Sequence, residues 1–88
     1  MDTSVDTKCK WVLYDPETDS YFERVRSSLV YFEFYFTNQL LVAKHFWAEG
    51  DAYRELNDLR VMARVSNQEI VERLTPRQIE ITIKRLDN

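Results

Sequence analysis

Few residues in this chain could do covalent or acid–base chemistry. It has one cysteine, Cys9, and one histidine, His45. A nucleophilic centre needs a thiol or hydroxyl beside a base that a third group orients, and nothing in the spacing brings a base to Cys9 or to any serine. His45 lies in Ala-Lys-His-Phe-Trp, where a partly buried ring near a turn is the simpler reading. Cys9, between Lys8 and Lys10, reads as an incidental exposed thiol. One Cys and one His cannot form an intramolecular disulfide or assemble a Cys/His zinc site within one chain. The alternate acids Asp15, Glu17 and Asp19 have the spacing that begins a calcium loop, but its turn glycine and closing glutamate are missing. Gly50 is the only glycine, so there is no glycine-rich phosphate cradle. The expectation is a protein that is not an enzyme and uses no metal or cofactor.

The elements that would position any site follow from periodicity. Lys10 to Tyr14 is β-branched and aromatic, Asp15 to Ser20 has turn chemistry, and Tyr21 to Val25 returns, which predicts an antiparallel hairpin. After Arg26-Ser27-Ser28, Val30, Phe32, Phe34 and Phe36 alternate with Tyr31, Glu33, Tyr35 and Thr37. That pattern predicts a strand with the Val and Phe side on the core and the Tyr and Glu side facing outward. Thr37-Asn38 is a candidate cap for one helical turn through Leu40 and Ala43. Ala52, Leu56, Leu59 and Ala63 then share one face of a helix from about Glu49 to Ala63, with acids in its first turn and arginines in its last. Ile79, Ile81 and Ile83 alternate with Glu80, Thr82 and Lys84 in a final strand from Gln78 to about Arg85. Between these elements, Ile70, Val71 and Leu74 fit either a helical turn capped at Ser66 or a strand paired across Thr75-Pro76 with the last one; the strand is the expectation. The whole reads as α+β, in the order β-β-β-α-(β)-β, with one amphipathic helix on one face of a small, mainly antiparallel sheet.

At 88 residues the chain has room for one domain, 1–88, with residues 1–9 expected to be a flexible polar N-terminal stretch. That stretch has no apolar h-region, and no 18-residue apolar run follows, so neither a signal peptide nor a membrane span is expected. A cytoplasmic protein is the expectation. The net charge of −3 and pI near 5.1 argue against a surface built throughout for nucleic acid or anionic lipid. Basic residues do gather late in the chain, at Arg60, Arg64, Arg73, Arg77 and Lys84, and these form the alternative reading, a nucleic-acid patch. Acids interleave with them, which favours a solvated mixed-charge face.

Aromatic residues are the strongest remaining signal. There are five Phe, five Tyr and two Trp, and all but Tyr53 fall between Trp11 and Trp47. Tyrosines left outside beside arginines have the composition of a protein-binding hot spot. The candidate partner-binding residues are therefore Tyr31, Glu33 and Tyr35 on the outward strand face, with Asp15, Glu17 and Asp19 as electrostatic guides on the hairpin loop. An unpaired edge strand, or the aromatic face itself, offers a route to a homo-oligomer.

Two stretches, Lys10 to Arg24 (KWVLYDPETDSYFER) and Ala43 to Leu56 (AKHFWAEGDAYREL), resemble the small uncharacterised proteins of tailed phages and prophages. In those, a strand-turn-strand of the type WVLYDPETGKYF is followed by AKRF and then a helix. The likeness covers about a third of the chain. It departs from the pattern at the loop, where Asp19 stands in place of Gly. The resemblance implies a phage protein that acts by binding and inhibiting or redirecting a host protein, with CRISPR and other defence complexes among the possible targets, and it supplies no functional motif.

Overall fold

The computed structural model describes residues 4–66 and 68–85. It contains β1 (Ser4–Asp15), β2 (Ser20–Ser27), β3 (Phe32–Thr37), α1 (Glu49–Ser66), the short 3-10 helix η1 (Glu69–Arg73) and β4 (Thr75–Arg85). The four strands form one antiparallel sheet in the order β3-β2-β1-β4. One helix packs on one face, as the α+β pattern requires.

The core follows the helical stripe. Ala52, Leu56, Leu59 and Ala63 are buried against Leu13, Phe22, Phe46, Val71 and Leu74, with Trp11, Val25, Phe34 and Phe36 packed around them. Each buried Leu or Phe contributes roughly 1.5–3 kcal/mol, so this stripe is what seats α1. The Ser66 hydroxyl at the end of α1 accepts the Phe32 backbone N–H at 3.0 Å, tying the helix to the start of β3.

Three local expectations are corrected. Residues 69–74 do not form a strand. Glu69–Arg73 winds as a 3-10 helix that buries Val71 and closes with Leu74 N–H donating to the Val71 carbonyl at 3.2 Å. The helical turn is what drops Val71 and Leu74 onto α1. Next, β1 begins at Ser4, so residues 4–9, read as part of a flexible stretch, pair in unbroken register with β4; Met1–Thr3 lie outside the described residues. Finally, Val30 does not join the Phe face. Ser28 closes a turn on Tyr31, donating its backbone N–H to the Tyr31 carbonyl at 2.8 Å, and Val30 in that turn is 81% exposed.

β1 and β2 pair only beside the hairpin, at Tyr14–Tyr21 and Asp15–Ser20. Beyond it, residues 43–46 wedge between them. Lys44 N–H donates to the Phe22 carbonyl at 3.0 Å, and Trp11 and Phe46 exchange both backbone bonds at 2.8 Å. The wedge satisfies backbone groups that the splayed strands would otherwise leave unpaired. Past Trp11, β1 and β4 continue alone as a two-stranded arm, which accounts for the long axis of 56 Å against 23 and 22 Å.

Candidate outer-face binding site

Side chains alternate across a strand, and directly opposed residues of an antiparallel pair share a face. With Leu13 and Phe22 on the helix side, the register therefore assigns the paired residues of the other face; Glu23, at the register shift in β2, has no partner in it. Asp6, Lys8, Lys10, Val12 and Tyr14 of β1 lie there opposite Ile83, Ile81, Ile79, Arg77 and Thr75 of β4. Tyr21, Arg24 and Arg26 of β2 lie there opposite Thr37, Tyr35 and Glu33 of β3. A register shift between Phe22 and Arg24 is decisive. That bulge turns Arg24 outward while Val25 returns to the core opposite Phe34. Both helices pack on the opposite face; on this one Val12 is fully buried and Trp47 lies over Lys10.

The face is basic on an acidic protein. Six cationic side chains, Lys8, Lys10, Arg24, Arg26, Arg77 and Arg85, share it with the carboxylates Asp6 and Glu33, although the whole chain carries 12 basic and 15 acidic residues. Cations and rings are paired on it. The Arg24 guanidinium lies 4.3 Å from the Tyr35 ring centre, Arg77 lies 5.5 Å from Tyr14, and Lys10 lies 4.2 Å from Trp47. Tyr14 and Tyr21 tilt against each other at 5.1 Å. Together with Arg77 and Ile79 they line a shallow open depression of about 330 Å³.

Glu33 is braced by two tyrosines. Tyr35 Oη donates to its Oε2 at 2.6 Å and Tyr31 Oη to its Oε1 at 3.0 Å. These bonds favour the ionised carboxylate and hold the Glu33 pKa below the usual range, with the Tyr35 bond foremost. Reciprocally, the Glu33 hydrogen bond raises the Tyr31 pKa. The candidate trio Tyr31, Glu33 and Tyr35 is therefore one hydrogen-bonded unit on the open face. The brace fixes rotamers that a partner would otherwise have to order.

Of the three hairpin acids, Glu17 and Asp19 are exposed and Asp15 is not. Asp15 is fully buried. Its Oδ1 and Oδ2 accept from Arg73 Nε and Nη2 at 3.2 and 3.1 Å, from the Glu17 backbone N–H at 3.1 Å and from Thr18 Oγ1 at 2.6 Å. The Arg73 bonds foremost, against the opposing cost of burial, lower its pKa to about 2. Glu17 pairs with Arg73 Nε at 2.9 Å, and Asp19 accepts the Tyr14 hydroxyl at 2.7 Å. Asp15 is thus a structural lock between the β1–β2 loop and η1, which removes it from the partner-binding set. The calcium-loop geometry is not formed either, since Asp15 and Glu17 are both taken by Arg73 and Asp19 by Tyr14. Asp19 has φ of 54°, the left-handed conformation for which glycine is favoured.

The late arginines do not form one patch. Arg73 is committed to Asp15 and Glu17. Arg60 and Arg64 lie on α1, and the Nε of Arg60 is buried with no hydrogen-bond partner among the described residues. Arg77 lies on the open face and Lys84, opposite Val5, on the helix side. His45 Nε2 donates to the Leu40 carbonyl at 2.7 Å, and Cys9 is exposed on the arm.

The cations that make the open face basic were not among the expected residues. Lys8 and Lys10 were legible as alternate positions once β1 is carried back to Ser4. Arg24 needed the bulge and Trp47 needed the wedge, and neither leaves a pattern in the sequence. Among the described residues, no helix is long and apolar enough to cross a membrane. No family model, curated protein or solved structure matches the chain.

Proposed function

We propose that this is a non-enzymatic binding protein whose open sheet face captures a protein with an acidic surface. The carrying observation is the segregation of charge: a chain with net charge −3 places six cations and two carboxylates, among its register-paired residues, on the sheet face opposite α1. Tyrosine and arginine in contact are the residue types that dominate binding energy when desolvated, and complementary charge sets orientation and on-rate. Tyr31, Glu33 and Tyr35 supply the braced part of the surface. Arg24, Arg26 and Arg77 supply its charge, and Glu17 and Asp19 lie at its hairpin end. The resemblance to phage accessory proteins favours a host protein as the target, met in the host cytoplasm, with inhibition or redirection as the outcome.

One observation weighs against a nucleic-acid ligand on the same face. Single strands bind by stacking bases on open aromatic rings, and here Arg24 and Lys10 already lie over the rings of Tyr35 and Trp47. The test is affinity capture from bacterial lysate by the full chain and by the double variant Tyr31→Ala/Tyr35→Ala, with circular dichroism as the control for folding. A discrete protein retained by the parent and lost by the folded variant is expected, with retention that weakens as salt rises. Equal retention by both rejects the assignment. A low-salt gel shift with single-stranded DNA or RNA, abolished by the same substitutions, would replace the protein partner with a nucleic acid.

A further inference from the structure

We infer that two copies of this chain join along β4, edge to edge, with Thr82 on the two-fold axis. β4 ends the sheet, and its outer edge has no neighbouring strand among the described residues. In the arm, β1 and β4 pair only with each other, leaving Val5 51% and Ile83 57% exposed. A lone two-stranded ribbon is marginally stable in water, and a long exposed edge is a template for a further strand.

The backbone identifies which groups that edge presents. Trp11 directs both its N–H and its carbonyl to Phe46, hence away from β4, so Trp11–Gln78 is a non-hydrogen-bonded pair of the β1–β4 ladder. Pairs alternate along an antiparallel ladder. Arg77, Ile79, Ile81 and Ile83 therefore bond to β1, while Gln78, Glu80, Thr82 and Lys84 point their N–H and carbonyl groups to the free side. Pro76 falls on that same side, where its missing N–H costs the ladder nothing.

Side-chain chemistry then selects the register. A two-fold axis perpendicular to the sheet keeps like faces together. Centred on Glu80, it would oppose Glu80 to its own copy; centred on Ile81, it would oppose Arg77 to Arg85 twice. Like charges directly opposite are destabilising. Centred on Thr82, it opposes Glu80 to Lys84 of the second copy and Lys84 to Glu80, with Ile81 against Ile83 on the open face. Thr82 meets itself, and every outward-pointing residue from Glu80 to Lys84 exchanges both of its backbone bonds. The two helical bodies lie at opposite ends of the overlapped arms, so they do not collide. The flank of β1 is a poorer edge, since Phe46 and Trp47 bound it at Trp11. The joined sheet would run two open faces into one, independently of which partner they bind.

The experiment is sedimentation equilibrium of the full chain and of Glu80→Lys, Lys84→Glu and the double variant Glu80→Lys/Lys84→Glu, with circular dichroism to confirm folding. The parent should dimerise. Each single reversal puts like charges opposite each other twice and should weaken association roughly tenfold or more, and the double variant should recover it. Thr82→Pro, which removes an outward N–H not used by the β1–β4 ladder, should abolish association while the monomer stays folded. A parent that is monomeric at every concentration overturns the inference. So does a dimer indifferent to the charge reversals, which would locate the contact on another surface such as the β1 flank or the aromatic face.

Discussion

The Asp15–Arg73 lock makes the sharpest stability prediction. Asp15→Asn keeps the shape of the side chain and removes its charge, leaving the Arg73 guanidinium beside a neutral amide. The parent carboxyl titrates at about 2 in the folded protein against the usual 3.8. Linkage converts that displacement into ~2 kcal/mol in favour of the fold at neutral pH. Arg73 remains 35% exposed, so solvent screening trims the figure to ~1–2 kcal/mol. Because folding favours the ionised form, this stability is present above pH 3.8 and is lost as pH falls toward about 2. Near pH 3, between those two values, about half of it should remain. The assay is urea denaturation of parent and variant followed by circular dichroism, at pH 7 and pH 3. The variant should be less stable by ~1–2 kcal/mol at the higher pH, with the gap roughly halved at the lower. A gap of the same size at both pH values would refute the assignment of this stability to the ionised Asp15.

Asp19 occupies a left-handed backbone position, so Asp19→Ala should be less stable than Asp19→Gly by ~1 kcal/mol in chemical denaturation. Equal stabilities would show that the loop relaxes out of that conformation. Glu33→Gln removes the carboxylate that raises the Tyr31 pKa, and Tyr31 should then ionise at lower pH, as followed by NMR of labelled tyrosine rings. Leu59→Ala opens a cavity under the fully buried centre of α1 and should cost ~2–5 kcal/mol by thermal or urea unfolding. Ser66→Ala leaves the Phe32 N–H without its partner and should cost ~1 kcal/mol, with faster amide exchange at Phe32 as the specific readout.

Much of the architecture was already decided by local periodicity. Alternation at Phe32, Phe34 and Phe36 against Glu33 and Tyr35 marks a strand with one apolar face, and the 3.6-residue spacing of Ala52, Leu56, Leu59 and Ala63 marks the single helix. Since a buried stripe must meet a buried stripe, the helix had to lie on the Phe side, and the tyrosines had to face away from it. The site was legible to that extent. The tertiary structure alone decided the rest. Asp15 and Arg73 meet across 58 positions of sequence, a separation at which composition says nothing about who pairs with whom. The insertion of residues 43–46 between β1 and β2 splays the hairpin, leaves the arm two strands wide and brings Trp47 over Lys8 and Lys10. The bulge beside Phe22 changes the parity of every later residue in β2 and so turns Arg24 and Arg26 outward. Periodicity reports which face of an element is apolar, but the offset between neighbouring elements is set by backbone hydrogen bonds made at long range. In this chain those bonds decide where the charge lies.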